Sequence, residues 1–165
     1  MKKKIYLILT SSVMLFFSSS CNKEDVKPTE TATTTPKSYS NFKITSIRLN
    51  QIPFVNNSGS SWDTSSGPDL YYKLTDVGSN VYSTGSQFDD LTSPELPLLW
   101  NFQQAFQITN LNTTFFVQFY DHDDLDPDDY IGGVGFNASL YTDTYPTSIP
   151  LTYNGISVII NGVWY

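Results

Sequence analysis

The chain has one cysteine and one histidine among its 165 residues. The lone Cys21 excludes an internal disulfide and any zinc site that needs several cysteines. The lone His122 leaves no Ser–His pair with an independent third group to orient it, so triad chemistry is not expected. These two scarcities predict a binding protein rather than an enzyme.

Positive charge is also scarce. Three of the nine basic residues are Lys2, Lys3 and Lys4, whereas all 16 acidic residues come later in the chain. From Asn41 onward only three basic residues face 13 acidic ones, a net charge of −10. Such a surface repels phosphate backbones, so nucleic acid is not expected as a partner. A cation could offset this charge.

No apolar run is long enough to cross a bilayer as a helix. The longest, Ile5–Phe17, spans 13 residues, and a membrane span needs about 20. It follows Lys2–Lys4 and precedes three small serines, which is the pattern of a secretory signal peptide over residues 1–20. We therefore expect an exported protein.

Cys21 follows the three serines directly, and this junction resembles the lipobox of bacterial lipoproteins. The resemblance implies acylation of Cys21 and anchoring in a membrane; the alternative is an ordinary cleaved signal with an incidental cysteine. The next residues, Asn22-Lys23-Glu24-Asp25, resemble the surface-export signal of Bacteroidota lipoproteins, or are simply a polar start to a linker. Together they imply a lipid-anchored outer-membrane protein exposed at the cell surface.

Residues 21–40 are rich in Thr, Ser, Pro, Lys and Glu and have no apolar periodicity, which indicates a disordered tether. From residue 41 to 165 short alternating runs are separated by turn residues, without a helical stripe. Asn154-Gly155 is a strong hairpin signal. These features predict one all-β domain, a β-sandwich or barrel, with eight strands: Lys43–Gln51, Asp69–Thr75, Asn80–Thr84, Leu98–Thr109, Thr113–Asp121, Tyr130–Asn137, Ser148–Tyr153 and Ile156–Tyr165.

Two acidic clusters lie between predicted strands. Asp63 and Asp69 form a D-x5-D in the first, and six aspartates occur between Asp121 and Asp129 in the second. Closely spaced carboxylates repel each other unless they are solvated or neutralised, and hard oxygen ligands suit calcium. An EF-hand loop starting at Asp121 is excluded because Leu125 and Gly132 occupy its fifth and twelfth positions. A solvated acidic rim without metal is the alternative.

The second cluster resembles the third calcium loop of C2 domains. Its D-x-D-x2-D-x2-D pattern is followed by an aromatic residue, Ile and Gly, and Trp100-Asn101 resembles another segment of that family. The resemblance implies an eight-stranded antiparallel β-sandwich of the permuted, type II topology, in which the last strand takes the place of an extra first strand. It also implies Ca²⁺ ligands that converge from two loops: Asp63, Asp69, Asp121, Asp123, Asp126 and Asp129.

The remaining residues of interest receive simpler interpretations. Asp124 and Asp128 fall outside the ligand pattern and are expected to face solvent, and His122 is expected to point away from the ion. The three tryptophans are expected in the core, with Leu125 and Trp62 the only apolar candidates at loop tips. Two functions remain open: calcium-dependent binding to phospholipid or another surface component, and an adhesion or assembly module with a structural calcium ion.

Overall fold

Residues 37–63 and 66–165 are described here from a computed structural model. The predicted signal peptide, the lipidation site Cys21 and the tether as far as residue 36 lie outside the described residues. Pro36–Tyr165 forms one compact unit, and Tyr39 packs edge-on against Tyr145 with 4.9 Å between ring centroids. No helix in the described ranges is long and apolar enough to cross a membrane.

In the described ranges eight strands form two four-stranded antiparallel sheets, which confirms the predicted all-β sandwich. Two short 3₁₀ helices, Ser93–Glu95 and Ala138–Tyr141, interrupt the connections. Each strand begins and ends within one residue of its prediction: β1 Phe42–Gln51, β2 Leu70–Asp76, β3 Val81–Thr84, β4 Leu98–Ile108, β5 Thr114–Asp121, β6 Asp129–Asn137, β7 Ser148–Tyr153 and β8 Ile156–Trp164.

The strand order confirms the permuted topology. One sheet has the order β4-β1-β8-β7 and the other the order β3-β2-β5-β6. The last strand, β8, therefore lies between β1 and β7, in the place predicted for it. The hairpin that joins β7 to β8 turns at Asn154-Gly155, where both residues have positive φ (44° and 79°), as a two-residue hairpin loop requires.

The hydrophobic core lies between the two sheets. Alternate residues of β5 are buried, so Phe115, Val117 and Phe119 point inward. Trp100 and Trp164 are buried as predicted, and their indole N–H groups donate to backbone carbonyl oxygens at 2.9 and 2.8 Å. Within the described ranges, the buried hydrophobic residues lie between Phe42 and Trp164 and form one core cluster.

Strand β1 departs from simple alternation. The sequence pattern places Ile44 and Ile47 on opposite faces, yet both are fully buried. A β-bulge between Ile44 and Ser46 shifts the register toward both neighbouring strands. Since one extra residue reverses the side to which the following side chains point, the bulge returns Ile47 to the core.

Candidate metal centre

Three connections meet at one end of the sandwich: the loops after β1 (residues 52–69), after β3 (85–97) and after β5 (122–128). The backbones of Leu70 and Phe88 exchange two hydrogen bonds of 2.8 and 2.9 Å, which joins the loop after β3 to the start of β2. Leu70 also pairs with Asp121 in the β2–β5 ladder. The acidic segments of the chain are therefore neighbours in space.

The carboxylates of Asp63, Asp69 and Asp90 form a group whose ligand oxygens lie within 4.8 Å of one another. Two backbone hydrogen bonds fix this arrangement. The N–H of Asp90 donates to Asp69 Oδ1 at 2.8 Å, and the N–H of Asp69 donates to Asp121 Oδ1 at 2.6 Å. The group contains only oxygen ligands, which suits calcium rather than zinc.

Asp90 is absent from the residues predicted from the sequence. It belongs to a short Asp89-Asp90 turn with no calcium-like spacing around it, so no sequence motif marks it as a ligand. The signal that identifies it is topological: loops that follow alternate strands of an antiparallel fold emerge at the same end. Asp90 therefore joins Asp63 and Asp69, whereas Asp121, Asp123, Asp126 and Asp129 remain predicted ligands outside this close group.

Asp121 is a buried carboxyl group at the base of the loops, only 1% exposed. Burial raises its pKa to about 6, and the nearby carboxylates of Asp63, Asp123 and Asp69 add to the rise, against a lowering by the hydrogen bond from Asp69. A cation beside it would favour the charged form. The fold therefore buries the Asp121 carboxyl group at a place where a bound cation would stabilise its ionised form.

In the absence of metal, lowering the pH from 7 to 4 should strengthen the contribution of Asp121 to stability. An acid whose pKa is higher in the folded than in the unfolded chain contributes fully below the unfolded pKa of about 3.9, and the contribution is lost as the pH rises through about 6. Asp121→Asn keeps the Oδ1 acceptor and cannot titrate. Melting temperatures in chelator across this range should therefore rise on acidification more for the wild type than for Asp121→Asn. Parallel curves would contradict the assignment.

The third loop lies against the same group. Burial raises the pKa of Asp123, and the charges of Asp129, Asp63 and Asp126 raise it further. Asp123 is half-buried, whereas Asp126 and Asp129 are exposed. All six predicted ligands therefore lie in one electrostatic cluster with Asp90, and an ion bound there would relieve mutual repulsion among them.

No protein-family model and no curated protein sequence matches this chain. A calcium-bound structure of the two C2 domains of extended synaptotagmin 2 aligns over 79% of this chain and 47% of that chain, with a TM-score of 0.53 and 13% identity. Another structure of extended synaptotagmin 2, which adds its SMP domain to the two C2 domains, aligns over 77% and 28% (TM-score 0.51, 11% identity). The domain has a C2-like fold.

Human GIVD cytosolic phospholipase A2, in complex with methyl gamma-linolenyl fluorophosphonate inhibitor and terbium chloride, aligns over 78% of this chain and 18% of that chain. The TM-score is 0.51 and the identity 16%. The chain thus spans less than half of each of these three structures. The similarity concerns the sandwich alone.

On the outer face of the C2-like domain, next to the loops, the position of Asp128 differs from its prediction. Asp128 was predicted to face solvent, but its side chain is only 30% exposed. It accepts hydrogen bonds from the Tyr71 hydroxyl and from His122 Nδ1, the latter at 2.9 Å, and these two bonds lower its pKa. Asp124, by contrast, is 97% exposed as predicted.

The same face holds the one lysine of the sheet formed by β2, β3, β5 and β6. Lys73 Nζ lies 4.3 Å from the ring centroid of Tyr120, 5.2 Å from that of Tyr71 and 4.0 Å from Asp128. Its charge is thus engaged by two aromatic faces and a carboxylate. The described part of this sheet offers no basic patch to an anionic surface.

Two branched aliphatic side chains are exposed in the described loop residues at this end, Val55 at 52% and Leu125. Leu125, in the loop after β5, is 97% exposed. Trp62, the other candidate, is half-buried, packs against the core and donates its indole N–H to the carbonyl oxygen of Pro53 at 2.8 Å. Leu125, the more exposed of the two, is therefore the better candidate to enter a membrane.

Proposed function

We propose that this chain is a lipid-anchored cell-surface protein whose C2-like domain binds Ca²⁺ and attaches to a membrane or another surface component in a calcium-dependent way. The observation that carries the proposal is the convergence of Asp63, Asp69 and Asp90 within 4.8 Å, beside the buried carboxyl group of Asp121, at the loop end of a C2-like sandwich. An acidic rim without metal would not need a buried acid at its base.

Calcium supplies the positive charge through which this acidic end meets an anionic surface. A domain with a net charge of −10 after residue 41 repels phosphate headgroups, and a bound ion inverts the local field. Asp63, Asp69, Asp90 and Asp121 would hold the ion, with further oxygens from Asp123 and Asp129. One of the similar structures, extended synaptotagmin 2, is described as calcium bound.

Insertion of an apolar loop side chain into a membrane would add only a limited amount of binding free energy. Burying one Leu side chain contributes about 1.5–3 kcal/mol, and Leu125 is the most exposed apolar side chain of the described loop residues. Lys73 is held by Tyr120, Tyr71 and Asp128, so it adds little attraction. A lipid anchor at Cys21 would already hold the domain near a membrane, where weak contacts gain from a high effective concentration.

Co-sedimentation of residues 37–165 with phosphatidylserine-containing liposomes tests the membrane function. We expect binding in millimolar calcium, little binding in chelator, and weakening by added salt, because screening reduces the bridging. Leu125→Ser should weaken binding about tenfold or more. The matched control is Leu140→Ser, since Leu140 is also exposed but lies at the opposite end of β6.

Absence of liposome binding, with calcium binding intact by calorimetry, would contradict the membrane function. The adhesion or assembly module with a structural ion would then be the better description. Equal weakening by Leu125→Ser and Leu140→Ser would show that the loop end is not the contact.

The anchor has its own test in cells. Cys21→Ser should abolish labelling by a fatty-acid analogue and leave an uncleaved precursor, because lipidation requires the thiol. Replacing Lys23-Glu24-Asp25 with alanines should leave the protein membrane-bound and labelled, but reduce its digestion by protease added to intact cells. Labelling that persists in Cys21→Ser would refute the lipoprotein assignment, and unchanged digestion would refute surface export.

A further inference from the structure

A cleft of about 290 Å³ lies beside the acidic loops, between the loop after β1, the start of β6 and the β7–β8 hairpin. Three aromatic side chains, Trp62, Tyr130 and Tyr153, line it together with two amides, Asn57 and Asn154. Its volume is near the lower end of small-molecule sites. It is distinct from the carboxylate group, since no Asp, Glu, Lys, Arg or His lines it.

Two of the three aromatic side chains are exposed, and two are held by contacts within the protein. Tyr130 is 54% and Tyr153 63% exposed, so their rings are open to a ligand. The Trp62 ring is held by its hydrogen bond to Pro53, and Tyr130 packs on Tyr120 with 5.4 Å between ring centroids. Aromatic walls that are already positioned cost little ordering entropy on binding.

The floor of the cleft depends on two glycines. A Cβ at Gly132, which has a φ of 149°, would lie 2.6 Å from Ile156 Cδ1. A Cβ at Gly133 would lie 2.7 Å from the Val117 carbonyl oxygen and 3.1 Å from the Tyr130 hydroxyl. A side chain at Gly132 would displace Ile156, and one at Gly133 would press on the Tyr130 hydroxyl. Both neighbours line the cleft, so the two glycines set its shape.

The polar groups of the cleft are uncharged. Among the described residues, the hydroxyls of Tyr130 and Tyr153 and the amides of Asn57 and Asn154 have no side-chain hydrogen-bond partner in the protein. Amides offer both donors and acceptors, and phenols do the same. A ligand that combines an apolar face with several neutral hydroxyl groups matches this wall.

We propose that the cleft binds a saccharide, with the C–H face of one pyranose ring against the tyrosines and its hydroxyls on the two amides. A methylated cation such as choline would also find aromatic walls here, but it offers one hydroxyl group and would leave most of the four polar groups unpaired when water is displaced. This proposal does not rest on calcium binding.

Tryptophan fluorescence provides the test, since Trp100 and Trp164 are buried and Trp62 borders the cleft. Residues 37–165 are titrated with the methyl glycosides of glucose, galactose, mannose and N-acetylglucosamine, and with choline chloride, each in calcium and in chelator. We expect a saturable change with at least one glycoside, in the millimolar range for a single ring, and none with choline.

Three variants decide whether the cleft is the site. Tyr153→Ala should weaken glycoside binding at least tenfold, and Tyr153→Phe by less, because it keeps the ring. Tyr165→Ala removes an exposed tyrosine outside the cleft and should leave binding unchanged. The proposal would be overturned by no saturable response to any glycoside, by a response to choline alone, or by equal binding to wild type and Tyr153→Ala.

Discussion

The free energy of unfolding of residues 37–165 should rise by about 2.7 kcal/mol at pH 7 when free calcium is a hundredfold above its Kd. The reason is linkage: on the proposed function the ion would bind the folded chain, in which ligand oxygens of Asp63, Asp69 and Asp90 lie within 4.8 Å of one another, and not the unfolded chain. Urea unfolding in calcium and in chelator measures the difference. The gain should shrink below pH 6, because the pKa of Asp121 is raised to about 6 and protons then compete with calcium for its carboxylate.

Neighbouring aspartates provide matched controls for this gain. Asp90→Asn should remove most of it, whereas Asp89→Asn should leave it almost unchanged, because Asp89 lies outside the carboxylate group. Asp123→Asn and Asp124→Asn form a second pair, the former within the acidic cluster and the latter fully solvated. If both variants of each pair lost the same amount of calcium-dependent stability, calcium would be screening diffuse charge and no defined site would exist.

Gly67→Ala should damage both stability and calcium binding. A Cβ at this position would lie 1.8 Å from the carbonyl oxygen of Leu91, so the loops after β1 and β3 would have to separate. Overpacking of this kind costs about 1–3 kcal/mol, and a backbone atom yields less readily than a flexible side chain. Because Leu91 follows Asp90, the displacement should also move Asp90 away from Asp69. Urea unfolding and calcium calorimetry measure the two effects.

Gly59→Ala separates steric conflict from backbone strain. Gly59 lies in the same loop, with a φ of 81° and no atom within 4 Å of an added Cβ. Its substitution should cost about 1–2 kcal/mol through the left-handed conformation and leave the calcium Kd unchanged. An unfolding midpoint of Gly67→Ala equal to that of the wild type would contradict the tight approach of the two loops.

The strands were predictable because their information is local. Alternation in β5 and the Asn154-Gly155 turn each specify structure within a few residues. The face of Ile44 relative to Ile47 was not predictable, because the bulge in β1 is set by its register with β4 and β8. Register with partners distant in sequence is not encoded in the alternation of a single strand.

The candidate site was predictable in part for the same reason. Asp63 and Asp69 were recognisable from their spacing within one loop. Asp90 joins them only through the pairing of Leu70 with Phe88, which links separate parts of the chain. The prediction that Asp128 faces solvent was wrong because its hydrogen-bond partner Tyr71 lies on a strand distant in sequence. Sequence patterns carry least information about a side chain whose neighbours come from other segments of the chain.

The carboxylates of the site come from loops after β1, β3 and β5, so no short stretch of chain contains the set. Loops at the end of a sandwich usually open locally and exchange their amide hydrogens long before the core does. An ion held jointly by Asp63, Asp90 and Asp123 would be lost when any one loop opens. The amides of Asp69 and Asp90, which bond to carboxylate oxygens, would then exchange only when the ion leaves. Three separate loops would open as one cooperative unit, at a rate that depends on the concentration of free calcium around the protein.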